Sequence, residues 1–184
     1  GVEGFFGSAV QLAFMEQQLD SYLNRPDLGV VLIHAVNPFG FDHLRRVNEK
    51  NVDLNRNFLP PDRPFEGADP AYGKFDPLLN PQSPPGGLEF YLPRTVYNIL
   101  RYGMPRLKTA LVSGQYEFQK GLFYGGREPS ASYEILKNNL PVWLDGAERV
   151  MHIDFHTGLG AWGTYVLGAC EPVDEKEISW LKKH

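Results

Sequence analysis

Residues 52–58 read VDLNRNF, one arginine set between two asparagines. Ordinary surface loops favour glycine, proline, aspartate and serine, which make turns at little cost. Asn55-Arg56-Asn57 offers instead a planar guanidinium beside side-chain amides, a group suited to gripping a carboxylate. The plain alternative is that Arg56 and the nearby Arg46 are solvated, or form weak ion pairs with Asp53 and Glu49. A second cluster, HIDFHTG, occupies residues 152–158. On an extended chain His152, Asp154 and His156 share one face. His156 lies nearest the glycine-rich exit and is best placed to reach a crevice. If it acts as a ligand, Asp154 is the candidate partner that orients it; the plain alternative is a core or surface histidine. Glu3 is a third candidate, though a carboxylate just ahead of a helix also offsets the positive end of the helix dipole.

Several familiar motifs are excluded. The two histidines four apart do not make an H-E-x-x-H zinc site, because that motif needs a helix and a glutamate where Ile153 stands. GLGAWG at 158–163 matches G-x-G-x-x-G after a strand, but the following Thr164-Tyr165-Val166-Leu167 favours strand where a dinucleotide site needs a helix. Neither a G-x-S-x-G elbow nor a phosphate-binding G-x-x-x-x-G-K occurs.

The composition suits a globular domain. With 184 residues, 42% hydrophobic and 22% charged, the chain is expected to form one domain, 1–184. A net charge of -4 and the lack of a basic cluster argue against nucleic acid as a partner. No apolar run suggests a membrane span. Cys170 is the sole cysteine, so no internal disulfide ties the chain to an oxidising compartment, and a cytoplasmic location is the expectation. The opening Gly1-Val2-Glu3-Gly4 and the closing Lys182-Lys183-His184 suggest a piece of a longer protein.

The elements that must carry these residues follow from periodicity. Leu12, Met15, Leu19, Tyr22 and Leu23 recur at helical spacing, predicting a helix over Ala9 to Asn24 that stops before Pro26. Val30 to Val36 reads as a strand buried on both faces. Residues 59–88 hold eight of the fifteen prolines and read as one long irregular loop, a functional surface or lid. Residues 91–102 read as helix, Thr109 to Ser113 as a short strand, and Ser132 to Leu144 as helix ended or kinked by Pro141. Arg149 to Phe155 and Thr164 to Ala169 read as further strands. The alternation predicts an α/β domain with a mostly parallel mixed sheet flanked by helices. In such sheets, ligands bind beyond the carboxyl ends of the strands, where Asn37 onward and His156-Thr157-Gly158 would lie.

Taken together, GVEG, NPFGF, RRVNEKNVDLNRNF and DFHTG resemble, in order, the zinc carboxypeptidase family, and most closely a bacterial branch of it. The resemblance implies an incomplete domain of that fold, related to the phosphorylase/hydrolase-like architecture. It implies zinc as cofactor, with Glu3 and His156 as ligands and a histidine immediately before Gly1 as the third. Arg46 resembles the family's oxyanion-stabilising arginine, chosen over Arg45 by spacing, while Asn55 and Arg56 resemble its carboxylate-gripping pair. The general-base glutamate has no counterpart here, since Glu171, Glu175 and Glu177 follow His156 too closely; it is expected beyond His184. Tyr116 and Tyr124 are candidates to line the pocket. The implied activity is hydrolysis of a peptide or an N-acyl amino acid, by a carboxypeptidase, a murein-peptide amidase or a deacylase of the desuccinylase and aspartoacylase type. A carboxylate-binding protein without catalysis is the rival of a different class.

Overall fold

The computed structural model describes residues 1–82, 86, 90–158, 160–164, 166, 168, 174–176 and 178–179. Among these, the regular structure is helical: α1 (Gly4–Gln17), α2 (Leu19–Leu23), α3 (Pro38–Asp42), α4 (Leu54–Asn57), α5 (Tyr72–Leu79), α6 (Tyr91–Tyr102), α7 (Met104–Val112) and α8 (Ala131–Trp143). The expected sheet is therefore corrected, because no strand ladder forms among the described residues; two isolated bridges, Ala68 with Gln115 and Gln115 with Tyr124, are the nearest approach.

The sequence signals behind the strand reading have identifiable fates. Val30 to Val36 lacks a backbone ladder, and two of its carbonyls are met by side chains: Gln11 donates to the Ile33 carbonyl at 2.9 Å and Ser132 to that of Val36 at 2.7 Å. With Val31 39% and Val36 38% exposed, the apolar run is not covered on both faces as the strand reading required. Residues 149–155 are likewise without regular structure, and Val150, Met151 and Ile153 are exposed. Thr109 to Val112 belongs to α7, because Leu107 and Ala110, three apart, are buried together on one helical face. A short apolar run has too few residues to distinguish that period from a strand. Of the expected strand Thr164 to Ala169, residues 165, 167 and 169 lie outside the described residues, and Thr164 closes a turn on the Ala161 carbonyl.

Three further boundaries move. The first helix starts at Gly4 and breaks at Gln18, giving α1 and α2 where one helix was expected. The proline-rich stretch is not a simple loop, since α5 forms inside it and buries Tyr72, Phe75 and Leu78. In α8, Pro141 is accommodated in the last turn and the helix ends two residues later.

The core lies where α5, α6 and α7 meet: Ala71, Phe75, Leu107 and Ala110 are buried, with Leu79, Ile99, Tyr102 and Leu111 packed against them. Gly103, at φ +80, turns α6 directly into α7, a backbone state that suits glycine. A second structured region is built from loops rather than helices. Gln115 is fully buried and takes the role of a strand there: its amide donates to the Phe118 and Leu122 carbonyls while its side-chain oxygen accepts from the Glu117 and Phe118 backbone.

Candidate functional site

Arg46 is held first by its own backbone. Asn37 caps α3 by accepting from Gly40 N at 2.9 Å, with Pro38 at the first helical turn, and its amide also donates to the Arg46 carbonyl at 3.0 Å. Gly40 permits that approach, because a Cβ there would lie 2.5 Å from the Arg45 carbonyl oxygen. Val2 N donates to the same Arg45 carbonyl at 3.0 Å, tying the chain start to this turn. The NPFG run is thus the mould in which Arg46 is cast.

The guanidinium then bridges two carboxylates. Its Nη1 lies 2.5 Å from Glu3 Oε1 and its Nε 2.9 Å from Asp53 Oδ2. The partners differ sharply in exposure, at 37% for the Glu3 side chain and 3% for that of Asp53. Glu3 sits at the N-cap position of α1 but makes no capping hydrogen bond, so its charge is turned to Arg46. Asp53 does cap: its Oδ1 accepts from Asn55 N at 3.0 Å, fixing the start of α4, and its own backbone N donates to the Tyr124 carbonyl at 2.7 Å. Hydrogen bonding and attraction to Asp53 and Glu3 more than offset burial and hold the Arg46 guanidinium above its usual range.

Arg56, on the single turn of α4, approaches the same aromatic ring as Arg46. Phe123 has the Arg46 guanidinium carbon 5.2 Å and that of Arg56 5.8 Å from its centroid. Phe123 takes φ +55, a backbone region sparsely used by residues other than glycine, so the ring is held in place at a local cost. The Arg56 Nη1 donates to its neighbour's Asn55 carbonyl and Nη2 to the Val112 carbonyl, whereas its Nε is buried without a partner. The side chain lies over Gly114, where a Cβ would come within 2.6 Å of the Arg56 Cδ. Asn55 is exposed, with no partner for its side chain among the described residues. Asn57 is fully buried and structural: it donates to the Gly125 and Glu128 carbonyls and accepts from Ser130 N.

The structure thus gathers Glu3, Arg46 and Arg56 around Asp53 and Phe123, with Asn55 at the rim. Arg45 contributes its backbone carbonyl to the same turn. Tyr124 is buried and serves through its carbonyl; Tyr116 donates its hydroxyl to the Arg56 carbonyl at 2.8 Å. Burial raises the Tyr116 phenol above the usual tyrosine range, and the Arg63 and Arg56 charges pull it part of the way back. His156 stands apart from the arginines and pairs with Asp154, Nε2 to Oδ2 at 2.7 Å, both side chains about half exposed or more. Its neighbour Phe155 packs on Gly7 and meets Phe6 edge-on at 6.3 Å, so His156 and Glu3 lie toward the same end of α1.

Carboxylate and imidazole are donors that zinc accepts, and the Asp154 contact leaves Nδ1 of His156 without a protein partner among the described residues. Those residues contain no group of three His, Cys, Asp or Glu side chains poised together. Glu171 and Glu177 lie outside the described residues, and Glu175 is exposed. Asp53 and Phe123 are the site residues the sequence reading undervalued. For Asp53 a signal existed: an aspartate directly ahead of a short helical LNRN turn is a helix cap.

A family model described as Protein of unknown function (DUF2817) matches residues 1–181. No curated protein and no solved structure matches.

Proposed function

The chain belongs to the family described as Protein of unknown function (DUF2817), and from its site we propose a zinc-dependent hydrolase that cleaves an amide bond in a carboxylate-bearing substrate. The carboxypeptidase or murein-peptide amidase type is the reading preferred. The observation that carries it is the convergence of Glu3, Arg46 and Arg56 on Asp53 and Phe123. Glu3, Arg46, Asp53 and Arg56 lie in two of the motifs that resemble the zinc carboxypeptidase family, GVEG and RRVNEKNVDLNRNF, and Phe123 comes from a third stretch of sequence. The motif resemblance supports the chemistry; the helical fold described above does not enter into it.

Zinc held by Glu3 and His156, with a further ligand, would acidify a water to a pKa of about 7 and so supply hydroxide at neutral pH. The remaining work falls to the chain's own side chains. Arg46 has Nε anchored on buried Asp53, which orients its fork, and its Nη2 has no protein partner among the described residues. A fixed cation at that point would meet negative charge developing on an attacked carbonyl, an effect typically of about 10²–10³ in rate. Arg56 and exposed Asn55 would hold the substrate carboxylate, so that binding energy becomes orientation.

Bound zinc per chain, measured by elemental analysis on the parent, Glu3→Ala and His156→Ala proteins, tests the reading together with a screen of peptides and N-acyl amino acids. Near-stoichiometric zinc in the parent, lost in both variants, is the expected result. A parent that takes up no zinc after reloading would refute the hydrolase. A requirement for peptide length would favour the peptidase type, and turnover confined to short acyl groups the deacylase type. The second reading, a carboxylate-binding protein without catalysis, draws on one observation: the Glu3 carboxylate is already engaged by Arg46.

A further inference from the structure

Immediately after VDLNRNF the chain forms a small pocket of about 180 Å³ whose lining includes Pro60, Arg63, Phe65, Pro129, Tyr133 and Lys137. Its walls are rigid prolines and aromatic rings, its charged members are both cationic, and no acidic side chain lines it. Lys137 stands 5.6 Å from the Tyr133 ring centroid, and Arg63 makes no ion pair among the described residues. Two unneutralised cations beside an apolar wall form a recognition surface for a compact anion with a carbon skeleton.

The pocket is built on the same supports as the arginine site. Phe58, the residue after Asn57, packs edge-on against Tyr133 at 5.3 Å. Phe65 packs edge-on against Tyr116 at 6.1 Å, and the Tyr116 hydroxyl holds the Arg56 carbonyl at 2.8 Å. Arg63 and Arg56 both lower the value of that one phenol electrostatically, so the pocket's cation and the gripping arginine share Tyr116 as a neighbour.

We propose that the pocket takes a second acidic group of the substrate, so that the chain selects dianionic compounds: one carboxylate on Asn55 and Arg56, another acid between Arg63 and Lys137. This deepens the reading of Asn55 and Arg56 as a carboxylate grip and rests on it. The substrate class is then an acyl amino acid or peptide carrying an acidic side chain near its terminal carboxylate.

The test is calorimetric titration of the zinc-loaded parent and of an Arg63→Gln/Lys137→Gln double variant at low salt. The probes are straight-chain dicarboxylates from glutarate to suberate, each against its own monoamide, which keeps length and polarity and removes one charge. Both substituted side chains are exposed, and a thermal melt of the double variant confirms that it folds. The expected result is a preference of about 5-fold or more for the diacid at one or more chain lengths, weakening with added salt and falling below about 2-fold in the double variant. Equal binding of acid and monoamide at every length, binding of neither, or a preference that survives in the double variant would overturn the proposal. Zinc content and amide turnover are read on the same samples. Diacid preference without zinc or turnover would sink the hydrolase and keep the pocket; zinc and turnover without the preference would sink the pocket alone.

Discussion

Replacing Arg46 by methionine removes the guanidinium and keeps much of the side-chain volume, which isolates the electrostatic role. The loss falls unequally on its two partners. Asp53 has a side chain only 3% exposed, and its Oδ2 has Arg46 Nε as its hydrogen-bond donor. With Arg46 gone, a buried carboxylate keeps one bond, from Asn55 N, and breaking a pair of this kind costs about 3–5 kcal/mol. Arg46 itself is 34% exposed, so water can re-solvate part of the site and the lower end of that range, about 3 kcal/mol, is expected. Glu3, at 37% side-chain exposure, should lose no more than about 1 kcal/mol. For a domain of this length the sum, about 3–4 kcal/mol, corresponds to a drop of about 6–16 °C in Tm. Two double-mutant cycles in urea separate the terms: Arg46→Met with Asp53→Asn, and Arg46→Met with Glu3→Gln. The first should show a coupling of about 2 kcal/mol or more and the second about 1 kcal/mol or less. Equal couplings, or an Arg46→Met protein within about 0.5 kcal/mol of the parent, would refute the assignment of Asp53 as the buried anchor.

Other consequences follow from the same geometry. Gly114→Ala places a Cβ 2.6 Å from Arg56 Cδ at φ +75, so it should cost about 1–3 kcal/mol in chemical denaturation and weaken carboxylate binding together with stability. Asn57→Ala leaves the Ser130 N–H and the Gly125 and Glu128 carbonyls without their buried partner; a loss of about 2–4 kcal/mol in urea unfolding is expected, against near-parent stability for substitutions at exposed Asn55. Burial holds the Tyr72 and Tyr116 phenols above the usual tyrosine range, so the native state keeps protons that the unfolded chain releases. Their contribution to stability is complete below about pH 10 and is lost as pH rises through the folded values, which denaturation at stepped alkaline pH will show. Arg63→Gln removes a charge that lowers the Tyr116 value, so ultraviolet titration should find that phenol ionising at still higher pH; a downward shift would contradict the placement of Arg63 beside it.

The local turns that hold Arg46 and Arg56 carry clearer signals in the sequence than the fold does, for reasons that differ residue by residue. Asn37-Pro38 and Asp53 ahead of LNRN are local signals, because a cap is made with backbone atoms a few residues away. VDLNRNF stood out for another local feature, its arginine between two asparagines, and the cap at Asp53 passed unread. Strand pairing is not local: Val30 to Val36 has the right residue types, but a strand also needs a neighbour, and here the Ile33 and Val36 carbonyls meet the Gln11 and Ser132 side chains instead. The misreading of Thr109 to Ser113 arose because five residues cannot reveal a helical period that becomes plain once Leu107 is included. In α5 the spacing of Tyr72, Phe75 and Leu78 was masked by Pro77 and the prolines around it. Burial was least visible of all: Asp53 looked like a solvated partner for arginine and is instead the most enclosed charge of the cluster.

That enclosure distinguishes the Arg46 pair with Asp53 from an ordinary surface ion pair. A solvated guanidinium can turn to many partners, and fixing it costs side-chain entropy each time a ligand arrives. Here the cost is met during folding. Asn37 and Gly40 set the Arg46 backbone, Asp53 sets its Nε and at the same stroke caps the turn that carries Arg56. Asn57, at the far end of that turn, ties it to residues 125–130, so α4 cannot roll without breaking buried hydrogen bonds. Phe123 closes the arrangement by facing both cations with an apolar ring, which gives them a wall but no counter-ion. Like charges held near one ring repel each other, and Glu3 and Asp53 both pair with Arg46. On the proposed reading, Arg56, which has no carboxylate partner among the described residues, is the cation from which an incoming carboxylate gains most.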